Sequence, residues 1–190
     1  YYPTDTITAA LQLIGGREQY GTGSPEGVVT APVGVYYTDT AITNGAMRWA
    51  KKTGTGNTGW QCVEGDTGWR RITSFLNGWT GQLDVKRVNG SVHFRTQYSG
   101  MDGTSATAKA FMNPNSTLGP GFAPDSQGVE NRVLWHRVSG AVISNAYLVW
   151  SINWEAPSFG TATDKYTFYT GASSWPTAAD WPTTLPGTAA

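Results

Sequence analysis

The chain has 190 residues, a formal net charge of zero, and only 14% charged residues against roughly 25% in an average domain. Its 13 basic and 13 acidic residues form no cluster of either sign along the sequence, which argues against nucleic acid or an anionic membrane as a partner. No apolar run approaches the roughly 18 residues of a membrane span. The 24 glycines, 10 prolines and 13% aromatic content predict a turn-rich, all-β protein.

Residues 1–20 carry the only helical pattern, a short helix over 7–13 with Asp5 or Thr6 as its N-cap and a stop at Gly15-Gly16. The apolar residues at helical spacing are Ile7, Ala10, Leu11 and Ile14. A helix of about two turns is marginal alone, so it would have to pack against identical copies or an upstream stalk, and a short strand is the alternative. Because the chain starts at Tyr1 rather than at Met, we interpret it as the C-terminal part of a longer protein.

Between Tyr20 and Arg70, short apolar pieces are separated every few residues by Gly, Pro or Asp, which excludes a persistent helix. Asn44-Gly45 is a tight-turn signal. The pieces of strand length are residues 28–29, 33–37, 46–50 and 59–63. Their apolar area is small compared with the entropy lost on ordering the chain. We therefore expect this segment to fold through association with identical copies.

Residues 83–95 predict a β-hairpin. If Asn89-Gly90 is a two-residue turn, Asp84 lies opposite Arg95 and forms a favourable cross-strand pair. One face, which enters a core, then carries Leu83, Val85, Val92 and Phe94, with Arg87 at the turn end. The other face is polar and carries Asp84, Lys86, His93 and Arg95.

The remainder reads as irregular from 100 to 131, apart from a plausible strand at 106–112, and then as strands at 132–138, 141–145, 146–154 and 166–169. Alternation along residues 146–154 puts Trp150 and Trp154 on one face, so both are expected in the core. Residues 173–187 are rich in proline. Proline excludes a central strand, so we expect this tail to lie extended over the surface or against a neighbour.

The sequence carries no pattern typical of a catalytic or metal centre. The single cysteine, Cys62, reads as a small buried residue, and the two histidines, His93 and His136, lie on separate predicted strands. The carboxylates of a glycosidase could be Glu64 with Asp66, or Asp102 with Asp125, but nothing separates these from ordinary turn residues. We expect no enzyme activity, no cofactor and no metal.

Binding of a saccharide is the stronger interpretation of the polar and aromatic residues. Sugar rings present C–H faces that stack on aromatic rings, and hydroxyls that hydrogen-bond to polar side chains. Two places combine both groups. The candidate binding residues are His93, Arg95, Tyr98 and Asp102, with Gln97, near the first hairpin, and Trp135 and His136, with Arg137, farther along. The alternative is a packed aromatic beside ordinary surface residues, and Trp135 could also lie in a trimer interface.

Several motifs occur in an order that is similar to a known family. They are Pro25-Glu26-Gly27-Val28, Ala31-Pro32, Gly34, Tyr37, Asp39, Trp49 and Thr58-Gly59-Trp60, followed by Leu76-Asn77-Gly78-Trp79-Thr80-Gly81, Gly121-Phe122-Ala123-Pro124 and the ending at 181–187. The set resembles the C-terminal part of tail fibre and minor tail proteins of bacteriophages with long non-contractile tails, including those of actinobacteria. A plain β-meander with ordinary turns is the alternative for the earlier motifs.

The resemblance implies an architecture and a function. Residues 1–20 would end a stalk, 21–70 would form an intertwined β neck, and 71–190 would form a β-sandwich head of jelly-roll type, all assembled as a homotrimer. The protein would sit at the tail tip of the virion, contact other tail proteins through its N-terminal side, and adhere to a glycan of the host cell envelope. The alternatives are a structural tail subunit without a receptor site and a tail enzyme that degrades glycan.

Overall fold

The structure is a computed structural model of the chain, and it describes residues 17–75, 80–103, 118–124, 129–137, 142–150, 166–169 and 173–190. Within these ranges the protein is almost entirely β-strand and turn, which confirms the all-β prediction. The helix expected at 7–13 lies outside the described residues. Among the described residues, no helix has the length and apolarity needed to cross a membrane. The chain divides into two compact units, Tyr1–Asp66 and Thr67–Ala190.

The N-terminal unit is built on one sheet of four strands in the order β1-β2-β3-β4. The strands are β1 (Glu18–Gly21), β2 (Tyr36–Asp39), β3 (Ala46–Lys51) and β4 (Trp60–Gly65). β1 runs parallel to β2, and the other pairs are antiparallel. Neighbouring positions Tyr37, Trp49 and Cys62 are buried on one face, and the Trp60 ring meets Tyr37 edge-on with centroids 6.1 Å apart. This face forms the small core of the unit.

Three of the four strand pieces expected in this unit are found, but residues 28–29 are not a strand. The carbonyl of Pro25 accepts hydrogen bonds from the backbone N–H groups of both Val28 and Val29, and Gly27 has a φ of 75°. Pro-Glu-Gly therefore closes a turn that leaves the Val28 side chain 76% exposed. The turn chemistry outweighs the β propensity of the two valines.

Polar contacts hold the two glycine-rich loops of this unit together. Glu26 accepts hydrogen bonds from the backbone N–H groups of Gly59, at 3.2 Å, and Trp60, at 2.8 Å. The Lys51 side chain is only 1% exposed, and its ammonium donates to the carbonyls of Gly56 and Thr58. These hydrogen bonds order the two loops, which the few aliphatic side chains of the unit do not. The four strands pair within one chain, and the expected association with identical copies stays a prediction.

Asp39 is the buried carboxylate of the N-terminal unit, with 1% exposure. It accepts hydrogen bonds from three backbone N–H groups, those of Gly23 and Ala41 at 2.9 Å and that of Thr43 at 2.8 Å. Burial by itself raises the pKa of Asp39, but these hydrogen bonds outweigh the burial and hold the pKa below its ordinary value. The charged form of Asp39 therefore stabilises the loop after β2.

This lowered pKa predicts a loss of stability in acid. Because the folded pKa lies below the unfolded one, the stabilisation is present above about pH 4 and is lost as pH falls through the folded pKa. Asp39→Asn should weaken the unit at neutral pH by roughly 1–3 kcal/mol and remove most of that acid dependence. Hydrogen exchange of the β2 and β3 amides at neutral and acid pH measures both effects. The exposed carboxylate variant Glu64→Gln is the control, and an unchanged acid dependence in Asp39→Asn would contradict the assignment.

The described strands of the C-terminal unit belong to one antiparallel sheet, in the order β12-β5-β6-β7-β10-β8-β9, with β11 paired to β7. They are β5 (Arg70–Ile72), β6 (Thr80–Val88), β7 (Ser91–Gly103), β8 (Val129–Arg137), β9 (Val142–Trp150), β10 (Tyr166–Tyr169), β11 (Ser173–Pro176) and β12 (Thr188–Ala189). The pieces expected at 141–145 and 146–154 are one strand, β9, over the described range. Trp154 and the strand expected at 106–112 lie outside the described residues.

The β6–β7 hairpin has the register predicted from Asn89-Gly90. Val88 pairs with Ser91 across the turn, and Asp84 pairs with Arg95. Asn89 takes the positive φ, 50°, that a tight turn of this kind needs. The predicted core face is buried, with Leu83 at 1%, Val85, Val92 and Phe94 at 0%, and Arg87 at 4% exposure.

The proline-rich tail contributes side chains to the core, which corrects the expectation that it lies over the surface. Trp175 is 1% exposed, its ring centroid lies 5.2 Å from that of Phe94, and its indole N–H donates to the carbonyl of Phe122 at 3.0 Å. Trp181 is 6% exposed. Prolines do keep β11 short, since the strand ends at Pro176. The tail is therefore an integral layer against the hairpin.

Arg87 joins the hairpin, the segment 118–124 and the tail. Its guanidinium lies in the core and stacks on Trp181 with 4.9 Å between the guanidinium carbon and the ring centroid. It donates hydrogen bonds of 2.6 to 2.9 Å to four backbone carbonyls, those of Asn89, Gly121, Ala179 and Asp180. A buried cation is costly unless its donors are satisfied, and these carbonyls accept from the Arg87 guanidinium. The planar fork of arginine provides that geometry.

Arg87→Lys should therefore destabilise the C-terminal unit although it keeps the charge. One ammonium cannot replace a five-donor fork, so carbonyls such as that of Gly121 lose their partner, at a cost of roughly 2–4 kcal/mol. Urea unfolding followed by tryptophan fluorescence measures the change.

The matched control is Arg70→Lys. Arg70 also donates to two carbonyls, those of Pro186 and Gly187, but it is less buried, and its loss should cost about 1 kcal/mol or less. Equal effects of the two substitutions would contradict the central role of Arg87.

Candidate functional site

The outer face of strands β5 to β7, opposite the core face, carries a group of charged residues around one tryptophan. Cross-strand pairing puts Arg71 opposite Asp84, and Asp84 opposite Arg95. Lys86 lies two positions after Asp84 on the same face, and Trp69 lies two positions before Arg71. We call these five residues the Trp69 cluster.

Asp84 is the centre of the Trp69 cluster and has 0% exposure. Arg71 Nε donates to Asp84 Oδ1 at 3.0 Å, and Arg95 Nε donates to Oδ2 at 3.4 Å. An unpaired carboxylate would cost several kcal/mol to bury, so the two guanidinium groups make its burial possible. The cross-strand pair expected from the sequence is thus a three-residue network around a buried charge.

Trp69 supplies an aromatic surface against which two cations lie. The guanidinium carbon of Arg95 is 4.2 Å from the centroid of the Trp69 ring, and the ammonium of Lys86 is 5.3 Å from it. Both distances are within the range of cation–π attraction. The Arg95 side chain remains 43% exposed and that of Arg71 32%, so both present hydrogen-bond donors to solvent. Among the described side chains, the cluster combines three cations with one carboxylate.

This arrangement is suited to binding. It combines a flat aromatic and guanidinium surface with fixed donors, which are the groups that recognise saccharides and anions. Within the ranges that the structure describes, no group of three His, Cys, Asp or Glu residues could hold a metal ion. The chemistry that the cluster offers is hydrogen bonding, charge attraction and stacking.

The candidate residues from the first hairpin are spread along β7. Arg95 belongs to the Trp69 cluster, and His93 is half-buried on the same face, paired with Lys86 on one side and Ser174 on the other. Asp102 pairs with Thr80, and Arg95 pairs with Asp84, which lies four positions farther along β6. At about 3.3 Å per residue, Asp102 and Arg95 are therefore about 13 Å apart along the sheet. Together they span more than one sugar ring.

The second group of candidates lies on β8, beside β10. His136 pairs with Thr167, and Thr167 pairs with Asp102, so one cross-strand row contains residues from both predicted groups. Trp135 lies in the next row, opposite Phe168. Tyr98 lies on β7 between Arg95 and Asp102. For Tyr98, Asp102, Trp135 and His136 the structure describes the backbone, and their assignment as binding residues stays a prediction.

Sequence reasoning missed Trp69 and Arg71 as site residues. Trp69 lies within residues 21–70, which the sequence assigns to the neck, whereas the C-terminal unit begins at Thr67. Ile72 is 3% exposed and faces the core. Because side chains alternate along a strand, Arg71 and Trp69 lie on the opposite face, and this alternation is the pattern that identifies both residues. The signal becomes informative only when β5 is known to pair with β6.

A pocket beside the tail is the other candidate for a binding site. A pocket of about 430 Å³ is formed by residues 119–121 and 179–184. Trp181 lines the pocket, but the residue is only 6% exposed, and the guanidinium of Arg87 stacks on its ring. The exposed polar side chains at its rim are Asp180, Thr183 and Thr184. The pocket has fewer fixed donors than the Trp69 cluster, which we therefore take as the candidate site.

Comparison of the chain with protein-family models, with curated proteins and with solved structures finds no match in any of the three. The function therefore has to be argued from the residues and their geometry.

The buried carboxylate predicts a specific dependence of stability on Asp84. Asp84→Asn keeps the shape of the side chain but leaves Arg71 and Arg95 side by side without a counter-charge, so the C-terminal unit should lose roughly 3 kcal/mol. Thermal or urea unfolding measures the loss. Asp180→Asn removes an exposed carboxylate of the same unit and should change stability by less than about 0.5 kcal/mol. If Asp84→Asn unfolds at the same temperature and urea concentration as wild type, Asp84 does not organise the cluster.

Proposed function

We propose that the chain is a receptor-binding protein of a bacteriophage tail tip, which adheres to a glycan of the host cell envelope. The observation that carries the proposal is the Trp69 cluster, an aromatic ring with fixed, half-exposed guanidinium groups on the outer face of the β5–β7 strands. The ordered motifs that resemble phage tail fibre and minor tail proteins supply the biological setting.

A saccharide would use both parts of the cluster. The C–H face of a sugar ring packs on the half-buried Trp69 side chain, next to the guanidinium of Arg95. Its hydroxyl oxygens accept hydrogen bonds from Arg71 and Arg95, which Asp84 holds in place. Adjacent residues such as His93 and, farther along β7, Asp102 extend the surface for a longer chain. Single contacts of this kind are weak.

We infer that weak contacts are strengthened by assembly into a homotrimer, in which the N-terminal unit serves as the neck and the C-terminal unit as a β-sandwich head. Support comes from large apolar side chains that the N-terminal unit leaves on its surface. Tyr20 is 70%, Val28 76%, Val33 58% and Ile42 53% exposed. A continuous apolar patch built from such side chains is typical of surfaces that bind other protein chains.

Light scattering should therefore give a particle of three times the 20.4 kDa chain mass. The double substitution Val28→Asp and Val33→Asp should shift that particle towards the monomer, because charged side chains disfavour burial at a subunit interface. Glutamine at the exposed Lys52 is the control. A wild-type chain that stays monomeric at high concentration would contradict the trimer.

Adhesion itself is tested with the labelled chain on a panel of actinobacterial cells. The chain should bind susceptible cells, polysaccharide released from the same walls should compete, and Trp69→Ala should weaken binding about tenfold or more, the usual loss when a central aromatic is truncated. Leu185→Ala, in a half-buried apolar residue of the tail, should bind like wild type. Absence of binding to every strain would favour a purely structural tail subunit, and release of reducing ends from envelopes would favour a glycan-degrading enzyme.

A further inference from the structure

The strand β12 lies against the backbone of the candidate site. It pairs with β5 on the edge of β5 that faces away from β6, and Thr188 lies opposite Arg71. The backbone N–H of Ala190 donates a hydrogen bond of 3.0 Å to the carbonyl of Trp69. Trp69 and Arg71 both belong to the Trp69 cluster. The end of the tail therefore contacts the backbone of two residues of the candidate site.

Trp69 lies just beyond the pairing that holds β5 to β6. That pairing covers Arg70 to Ile72, a strand of three residues. A short strand at the edge of a sheet is among the parts of a protein that open most readily, because few contacts hold it. Pairing with β12 gives β5 a second neighbour, and the hydrogen bond from Ala190 extends the contact to Trp69.

Arg70 attaches the residues before β12 from the other face of β5. Its Nε donates to the carbonyl of Pro186 at 2.9 Å, and its Nη2 donates to the carbonyl of Gly187 at 3.0 Å. Successive side chains of a strand point to opposite faces, so Arg70 points away from the face that carries Trp69 and Arg71. Arg70 can therefore affect the candidate site only through the backbone of β5 and β12.

Gly187 permits the close approach of the two strands. Its φ is 52°, in the left-handed region that favours glycine. A Cβ atom at this position would overlap the carbonyl oxygen of Arg71 and come within 2.9 Å of Cδ1 of Ile72. Because the backbone of β5 is fixed by its pairing with β6, any larger residue at position 187 would displace β12.

We propose that residues 186–190, which we call the β12 segment, are a positioning element of the candidate site that fixes Trp69 and Arg71 for the ligand. This inference rests on the proposed adhesion to envelope glycan and adds residues that set its affinity without touching the ligand. With the β12 segment in place, both side chains are ordered before the glycan arrives, so binding costs less entropy. Displacement of the segment transfers that cost to the binding step.

The β12 segment can be displaced while the rest of the tail stays packed. Arg87 holds the tail separately, through the carbonyls of Ala179 and Asp180, and Trp175 packs on Phe94 in the core. Substitutions in or against the segment therefore test positioning of the site without removing the core contacts of the tail.

The first measurement reports on Trp69 itself, by fluorine NMR of the full chain labelled with 5-fluorotryptophan. Trp69→Phe assigns one resonance, and Trp175→Phe assigns a core tryptophan for reference. Gly187→Ala should shift and broaden the Trp69 resonance and leave that of Trp175 in place. Arg70→Met removes the two donors, keeps an apolar stem and introduces no clash, so it tests the same contact if Gly187→Ala does not fold.

The second measurement is the affinity for polysaccharide released from the walls of a susceptible actinobacterial strain, by biolayer interferometry. Gly187→Ala and Arg70→Met should each weaken binding roughly tenfold, because Trp69 and Arg71 then have to be ordered when the ligand binds. Arg70→Lys keeps a donor for the same carbonyls and should restore most of the affinity. Urea unfolding of each variant confirms that the chain is folded under the conditions of the assay.

Gly119→Ala is the matched control. Gly119 is another glycine of the C-terminal unit with a positive φ, 83°, but a Cβ atom there would meet nothing within 4 Å. The substitution therefore strains the backbone of the same unit without displacing β12. It should bind the wall polysaccharide like wild type and leave the Trp69 resonance unchanged.

The outcomes separate this inference from the proposed function. An unchanged Trp69 resonance, or wild-type affinity, in both Gly187→Ala and Arg70→Met would overturn the positioning role and leave glycan adhesion standing. Equal weakening by Gly119→Ala would overturn it as well, because the loss would then follow from general destabilisation. Absence of binding by the wild-type chain to every strain would overturn the proposed function, and the Trp69 resonance alone would then decide whether the β12 segment fixes that ring.

Discussion

The register of the β6–β7 hairpin is the constraint on which the C-terminal unit depends. Side chains alternate between the two faces of a strand, so a slip of one residue would exchange Val85 and Phe94 with Asp84 and Arg95. The Asn89-Gly90 turn prevents that slip, since it joins the strands through two residues with one defined geometry. The same pairing therefore sets the apolar core and the charged outer surface at once.

Two buried charges stabilise the opposite faces of this hairpin in different ways. On the core face, Arg87 is satisfied by backbone carbonyls and attaches the tail, which brings Trp175 against Phe94. On the outer face, Asp84 is satisfied by side chains that remain partly exposed. Arg87 therefore serves the fold, whereas the partners of Asp84 can also reach a ligand. A rigid sheet with fixed guanidinium groups is a good platform for recognition, because little order has to be gained on binding.

The parts of the structure that the sequence predicts are those set by local chemistry. The hairpin register and its two faces follow from a two-residue turn and strict alternation, and the structure has both. Trp69 and Arg71 could not be assigned in this way, because β5 is joined to β6 by residues 73–79, whose length and composition set no register. The burial of the tail depends on Arg87, a long-range contact that proline content does not reveal.

In the N-terminal unit, too, amino-acid composition predicts only part of what orders the chain. Its shortage of aliphatic residues predicts a weak core. Its order also comes from polar groups that hydrogen-bond to loop backbone, namely the buried Lys51 and Asp39 and the half-buried Glu26. These contacts are specific to the folded loops, and no periodic pattern marks them. The turn that Pro25 and Gly27 form also replaces an expected strand and leaves Val28 exposed, which makes Val28 a candidate contact for other copies of the chain.

The central claim is that Asp84 arranges the charged residues around Trp69 into the surface that holds an envelope glycan. The most direct measurement is a crystal structure of the chain with an oligosaccharide taken from envelope material that it binds. We expect a sugar ring against Trp69, with its hydroxyl groups within hydrogen-bonding distance of Arg71 or Arg95. An oligosaccharide in the pocket beside Trp181, or elsewhere on the protein with the Trp69 cluster vacant, would contradict it.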